Sequence, residues 1–218
     1  AMTDKPTILV TGGAGYIGSH AVLALVDAGW PVVVIDNLTT GFQWAVHEKA
    51  AFVQGDIGDI PLVERVIAEH GVRGIMHFAG SIIVPESVAD PLAYYENNTV
   101  KSRALIAAAV AAKVPHFVFS STAAVYGTPD GTEPVLESAA LRPESPYGSS
   151  KLMTEIMLRD TAAAHDFTYT ALRYFNVAGA DPRGRTGQST RGATHLIKVA
   201  SEAALGKRAG MDVYVTDY

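Results

Sequence analysis

The sequence predicts an α/β fold, a doubly wound parallel sheet with helices on both faces. Three observations carry this. Short apolar runs of strand length alternate with helix-length segments along the chain. The first run ends in a glycine-rich turn that opens a helix, Thr11-Gly12-Gly13-Ala14-Gly15-Tyr16-Ile17-Gly18. The second, Val32-Val33-Val34-Ile35, ends in a carboxylate, Asp36, 18 positions beyond Gly18. Strands joined by helical crossovers run parallel, and ligands of such sheets gather at the carboxyl ends of the strands.

Taken in order, Thr7–Thr11 reads as strand, Tyr16–Ala28 as helix, Pro31–Asp36 as strand and Ala51–Gln54 as a short strand. Pro61–His70 reads as helix, with Pro61 suited to a first turn that needs no N–H. Gly74–Phe78 is strand, and Pro91–Lys113 one long helix whose alanine-rich end can lie close to a sheet. His116–Ser121 follows as strand, Pro146–His165 as helix and Tyr169–Arg173 as strand. Tyr174–Gly192, rich in Gly, Asp and Arg, reads as a long loop or the start of another lobe. His195–Leu205 then looks helical and Met211–Val215 strand-like. The expected division is a Rossmann-like dinucleotide domain over 1–175 and the beginning of a substrate lobe over 176–218, with a C-terminal part expected to be missing. Ala1 ahead of Met2 reads as a cloning remnant.

Composition narrows the function classes. A net charge of −5 with no Lys/Arg run argues against a general nucleic-acid binder. The absence of cysteine removes thiolate chemistry and Cys-based zinc sites, and fits a reducing cytoplasm. The longest apolar run, Ala104–Ala112, is far short of the roughly 20 residues that span a bilayer. Histidine spacing suggests no metal site.

The glycine turn has the physical parts of a dinucleotide site. Gly12 and Gly15 permit positive φ and close approach of a pyrophosphate, and Gly18 lets the helix pack on its strand. The new helix turns free N–H groups and its positive dipole end toward the phosphates. Asp36 suits the adenosine ribose hydroxyls; a plain strand-end turn is the competing explanation, and the glycines weigh against it. Gly55-Asp56-Ile57 offers a carboxylate and an apolar side chain beside an adenine, or equally a simple turn. Phe78-Ala79-Gly80 leaves room at its strand end, and Ser120-Ser121-Thr122 supplies hydroxyls. Tyr147 and Lys151, four apart on a helix, share a face. A free phenol titrates near ~10, and a nearby ammonium is expected to lower it toward useful acid–base chemistry.

These motifs, with Ala123-Ala124-Val125-Tyr126-Gly127 and Leu172-Arg173-Tyr174-Phe175-Asn176-Val177-Ala178-Gly179-Ala180, resemble the extended short-chain dehydrogenase/reductases. Within them the chain is most similar to the UDP-glucose 4-epimerases, from about residue 6 onward. The resemblance implies an isomerase with NAD as cofactor and a UDP-sugar, the galactose/glucose pair, as substrate. Tyr147 would take the proton of the sugar 4-hydroxyl while hydride passes from C4 to NAD. Lys151 would tune Tyr147 and contact the nicotinamide ribose, and Thr122 would hydrogen-bond the reacting hydroxyl. Along with the glycines, Tyr16, Ile17, Asp36, Asn37, Asp56, Ile57, Phe78, Ala79, Gly80, Asn98, Ser120 and Tyr174 would line the NAD site. Asn176, His195, Leu196 and Tyr214 would hold UDP. A homodimer, through Pro91–Lys113 and Pro146–His165, is a further implication.

Two departures stand out. Ser81-Ile82-Ile83 replaces a stretch that carries a pyrophosphate-side lysine in many relatives, and His195 stands where others often have Asn. The related 4,6-dehydratases carry Asp-Glu after the strand-end Thr; Ala123 and Ala124 cannot do that acid–base work. UDP-N-acetylhexosamine or UDP-pentose epimerases and a non-catalytic NAD sensor are the alternatives, although sensors commonly lose the Tyr/Lys pair.

Overall fold

The computed structural model describes residues 5–212. Six parallel strands form one sheet: β1 (Thr7–Thr11), β2 (Val32–Asp36), β3 (Ala51–Gln54), β4 (Val72–His77), β5 (His116–Ser120) and β6 (Thr168–Leu172). Their order is β3-β2-β1-β4-β5-β6, so the chain starts in the middle and winds outward twice. The reversal between β1 and β4 is a topological switch point, and it puts the glycine turn beside the end of β4. This is a Rossmann-like sheet.

Helix α1 (Tyr16–Asp27) packs on one face, its Val22 against Val10, Val32 and Val34 of the sheet. The other face carries α2 (Ile60–His70), α5 (Lys101–Ala111) and α6 (Pro146–Ala164), whose Leu105 and Leu158 share a core with Leu9, Ile35, Ile75, Phe117 and Phe119 of the sheet. Buried on both faces, β2 is apolar throughout until Asp36. Caps fix the helix starts: Asp59 accepts from the Leu62 N–H and Ser145 from the Gly148 N–H.

The expected long helix from Pro91 is broken in register. It runs as α4 (Pro91–Tyr94), a π-helical segment Tyr95–Val100, then α5. Periodicity over so short a stretch cannot separate a π turn from an α turn, and such wide turns often mark sites. A short helix absent from the sequence expectations, α3 (Val84–Ala89), precedes it. Residues 174–195 are irregular and fold back over α1: Tyr16 donates to the Gly179 carbonyl at 2.6 Å, and Arg185 bridges Asp27 and Asp181. Helix α7 (Leu196–Ala204) follows, and the expected strand from Met211 lies mostly outside the described residues.

Candidate active site

The glycine turn is built as expected, with one change. Gly12 takes positive φ, +67°, and its Cα sits against the Phe78–Ala79 peptide: a Cβ there would lie 2.6 Å from the Ala79 nitrogen. Gly15 is extended instead, at φ −82° and ψ 179°, because its place is the N-cap of α1. What matters there is the missing side chain, which leaves the first turn of α1 uncapped and open to an anion. Gly18 is a packing residue, since any Cβ would overlap the Gly12 carbonyl oxygen. It tightens the turn under Tyr16 and Ile17.

Asp36 is buried at the end of β2 and reaches across to the turn, accepting from the Ala14 N–H at 3.0 Å and the Leu38 N–H at 2.8 Å. A carboxylate has further lone pairs for a vicinal diol. Asn37 is exposed beside it. Asp56 meets Lys101 at 2.6 Å; burial pushes its carboxyl up, but the Lys101 ammonium and the Gly58 N–H more than offset this and hold it low. Ile57 is buried next to it.

The third strand-end cluster lies across the switch point. Gly80 is exposed, and a side chain there would run into Asn98 Oδ1 and, at 3.4 Å, Lys151 Nζ. Asn98 is 2% exposed and fully engaged: Oδ1 accepts from Ser81 N at 2.7 Å, and Nδ2 donates to the Ser81 carbonyl and Ser150 Oγ. It shapes the 80–81 loop, leaving no donor of its own for a ligand. Asn97 donates to Ser81 Oγ at 2.9 Å, and Tyr94 OH bonds both the N–H and carbonyl of Ile83. Residues 81–83 are therefore clamped to α4 and the π-helical segment.

Tyr147 and Lys151 project from the start of α6 as expected. Lys151 is 3% exposed, donates to the Ser120 carbonyl at 3.1 Å and lies over the Phe119 ring. Burial lowers its ammonium to about 8. The Tyr147 phenol is pushed up by burial, and the opposing pull comes from the Thr122 hydroxyl. The Lys151 ammonium is turned to the Ser120 carbonyl, and the Thr122 hydroxyl is the influence that lowers Tyr147 against burial. Thr122 also caps a short turn, Ala123–Val125, by accepting from the Ala124 N–H at 3.1 Å. Ser120 Oγ pairs with Tyr174 OH.

Sequence reading missed the brace behind this centre. Glu155, one turn beyond Lys151, is gripped by Arg173 at 2.6 Å and takes the Ser121 hydroxyl, while Arg173 Nη1 reaches Tyr126 OH at 3.0 Å. A Glu one turn past the Tyr/Lys pair, with Arg at the next strand end, was the available signal. Asn176 is exposed after β6 and Leu196 is 63% exposed at the start of α7. His195 caps that helix from the backbone and sits 3.5 Å from Gln188 Nε2. Among the described residues no hydrogen bond joins these three to the Tyr147 cluster, and Tyr214 lies outside them. Nor is there a metal-binding cluster, or a helix long and apolar enough to cross a membrane, among the described residues.

Comparison with known proteins agrees with this geometry. The UDP-glucose 4-epimerase of Azospirillum brasilense is 56% identical over all of this chain, which covers 63% of that protein. The Brucella ovis UDP-glucose 4-epimerase, solved with NAD, is 42% identical with a TM-score of 0.92, over 96% of this chain and 64% of that one. The UDP-Glc/GlcNAc 4-epimerase of Campylobacter jejuni is 44% identical with a TM-score of 0.81, over 93% and 63%. The chain spans about 63% of the length of the curated relatives it matches. Residues 8–216 match the pattern of one family of these enzymes across nearly the whole chain, and the chain belongs to the NAD dependent epimerase/dehydratase family.

Proposed function

We propose that this chain carries the cofactor site and acid–base centre of an NAD-dependent UDP-sugar 4-epimerase, with UDP-galactose and UDP-glucose as the substrate pair. The observation that carries it is the convergence of Tyr147, Thr122 and Lys151 on the open end of β5, beside Gly80 and across from the uncapped start of α1.

The cradle fits a dinucleotide. The side-chain-free N-cap at Gly15 and the close turn at Gly12 suit a diphosphate, and Asp36 suits an unmodified ribose diol, as in NAD, and would repel a 2′-phosphate. When bound, NAD supplies the acceptor and donor for hydride at C4. The chain's own work is with protons. Thr122 would hold the sugar 4-hydroxyl toward Tyr147, whose phenolate would take that proton as the 4-keto sugar forms. Once the sugar has turned over and its carbon has been reduced on the opposite face, the phenol would give the proton back to the 4-oxygen. Lys151 has two ammonium N–H bonds left after Ser120 and offers them to ribose hydroxyls. With no carboxylate at Ala123 or Ala124, elimination lacks its acid and base.

Residues 176–218 would begin the nucleotide-sugar lobe, with Asn176, His195, Leu196 and Tyr214 toward UDP. A homodimer is supported by apolar side chains that stay exposed on two neighbouring helical stretches, Leu92 and Val100, Met153 and Ile156. A place in galactose metabolism would go with that activity, and the cysteine-free composition supports a cytoplasmic setting.

The test uses the full-length protein with UDP-galactose, no added nicotinamide, and NMR of the product. UDP-glucose without accumulating NADH is the expected result, with most activity lost in Tyr147→Phe. No turnover would overturn the galactose assignment; turnover of UDP-N-acetylhexosamines alone would move it to that class.

A further inference from the structure

His77 ends β4 at the switch point, 1% exposed, and no step above uses it. Its ring touches a hydroxyl at each end: Nδ1 lies 2.6 Å from Thr11 Oγ1 and Nε2 lies 2.8 Å from Ser102 Oγ. The outer partners decide which way each proton points. Ser102 Oγ is 2.5 Å from the Asn98 carbonyl, which can only accept, so the Ser102 proton goes there. The Ser102 oxygen must then accept from His77 Nε2–H. Burial, with the Lys151 ammonium nearby, lowers the imidazole to about 3 and keeps it neutral. A neutral ring protonated on Nε2 has a bare Nδ1, which accepts the Thr11 hydroxyl proton. Thr11 Oγ1, in turn, accepts from the Ala79 N–H at 3.3 Å.

One directed line of hydrogen bonds therefore runs Ala79 N–H, Thr11, His77, Ser102, Asn98 carbonyl. Both ends belong to the cradle. The Ala79 peptide is the surface against which Gly12 is packed. Asn98 belongs to the π-helical segment, and its side chain holds both the N–H and the carbonyl of Ser81 and reaches Ser150 on α6. Ser102 stands four residues past Asn98, the position whose amide serves that carbonyl in an α-helix. Its hydroxyl serves there in the wider turn.

We propose that His77 is a positioning residue for the dinucleotide site: as the neutral Nε2–H tautomer it sets the spacing between the glycine turn and the π-helical Asn98. The proposal rests on the dinucleotide reading of the cradle. A purely space-filling His77 needs only its ring volume; the positioning role needs one donor and one acceptor at fixed ends. Gln keeps a donor and an acceptor at its tip, and Leu keeps neither.

The experiment compares wild type, His77→Gln, His77→Leu and Ser102→Ala in the full-length protein freed of cofactor. NAD affinity is measured by titration, fold by thermal unfolding, and the His77 ring by nitrogen NMR. We expect a single ring proton on Nε2, unchanged from mildly acid to mildly alkaline pH. His77→Leu should bind NAD about tenfold or more weakly, the cost of stranding buried polar partners. His77→Gln should recover most of that loss, and Ser102→Ala, which keeps the ring and its volume, should show a smaller loss of the same sign. Wild-type affinity in a folded His77→Leu, a Gln variant no better than Leu, or an Nδ1–H ring would each overturn the proposal. If His77→Leu does not fold, Ser102→Ala and the ring tautomer decide. A folded wild type that takes up no NAD overturns the cofactor reading instead, and the tautomer still decides the direction of the line.

Discussion

Arg173 holds Glu155 with Nη2 2.6 Å from one carboxylate oxygen and Nε within reach of both. The pair ties the end of β6 to α6 one turn beyond Lys151, and the Glu155 side chain is only 7% exposed. Removing Arg173 strands a buried carboxylate. Arg173→Met should therefore cost about 3 kcal/mol in urea unfolding, and Arg173→Met with Glu155→Met should restore part of it. Equal stability in wild type and the single variant would count against the brace.

Lys151 turns one N–H to the Ser120 carbonyl, and burial holds its ammonium at about 8. Because this folded value lies below that of the unfolded chain, the native state sheds the proton first as pH rises, and the burial penalty on the charge is relieved above about 8. NAD binding favours the ammonium that donates to it, so affinity should fall as pH rises through about 8. Titrations at several pH values in cofactor-free protein check this, and a flat profile would contradict it.

The Thr122 hydroxyl is the influence that lowers Tyr147 against burial. Thr122→Ala should raise the Tyr147 phenol, and the rise of kcat with pH should move to higher pH. On the proposed role of Thr122 toward the reacting hydroxyl, the substitution should also lower kcat about tenfold or more. A pH–rate profile that keeps its wild-type midpoint would separate Thr122 from Tyr147.

Gly18 and Gly29 offer a matched contrast. A Cβ on Gly18 would overlap the Gly12 carbonyl, whereas at Gly29, with φ +76°, it would meet nothing within 4 Å. Gly18→Ala should cost on the order of 3 kcal/mol and disturb NAD uptake, and Gly29→Ala only about 1 kcal/mol from its backbone. Thermal unfolding of the two variants, with and without NAD, reads both effects.

Met153 and Ile156 lie on α6 with 42% and 39% of their surfaces exposed. If this face pairs two copies, Met153→Glu should shift sedimentation from dimer to monomer while leaving the fold intact. An unchanged dimer would place the interface elsewhere.

Much of this molecule was legible because its signals are local. The turn from Thr11 to Gly18, Asp36 at a strand end and Tyr147/Lys151 at one-turn spacing each occupy a few consecutive residues, and the sheet assembles them as expected. What escaped depends on contacts between distant stretches. The π-helical register of Tyr95–Val100 is held by Asn98 to Ser81 and Ser150, and no periodicity in YENNTV announces it. The direction of the Lys151 ammonium was equally hidden. Four-residue spacing puts it on the Tyr147 face, but the Ser120 carbonyl and the Phe119 ring decide where it points.

The place of β1 between β2 and β4 also governs how the protein comes to be. Of the strands of this sheet, the one that carries the glycine turn is synthesised first, yet one of its two neighbours arrives only after two further strands and two helices. Closing so long a loop is an entropic barrier that local contacts cannot lower, and non-local parallel pairing folds slowly. On a growing chain, β1 can pair with β2 early, but the peptide of residue 79 that shapes the turn is not yet made. The glycine turn is thus made before the rest of the sheet, yet cannot set until the end of β4 is made. Substitutions that delay the docking of β4 would slow its maturation while leaving its finished geometry untouched.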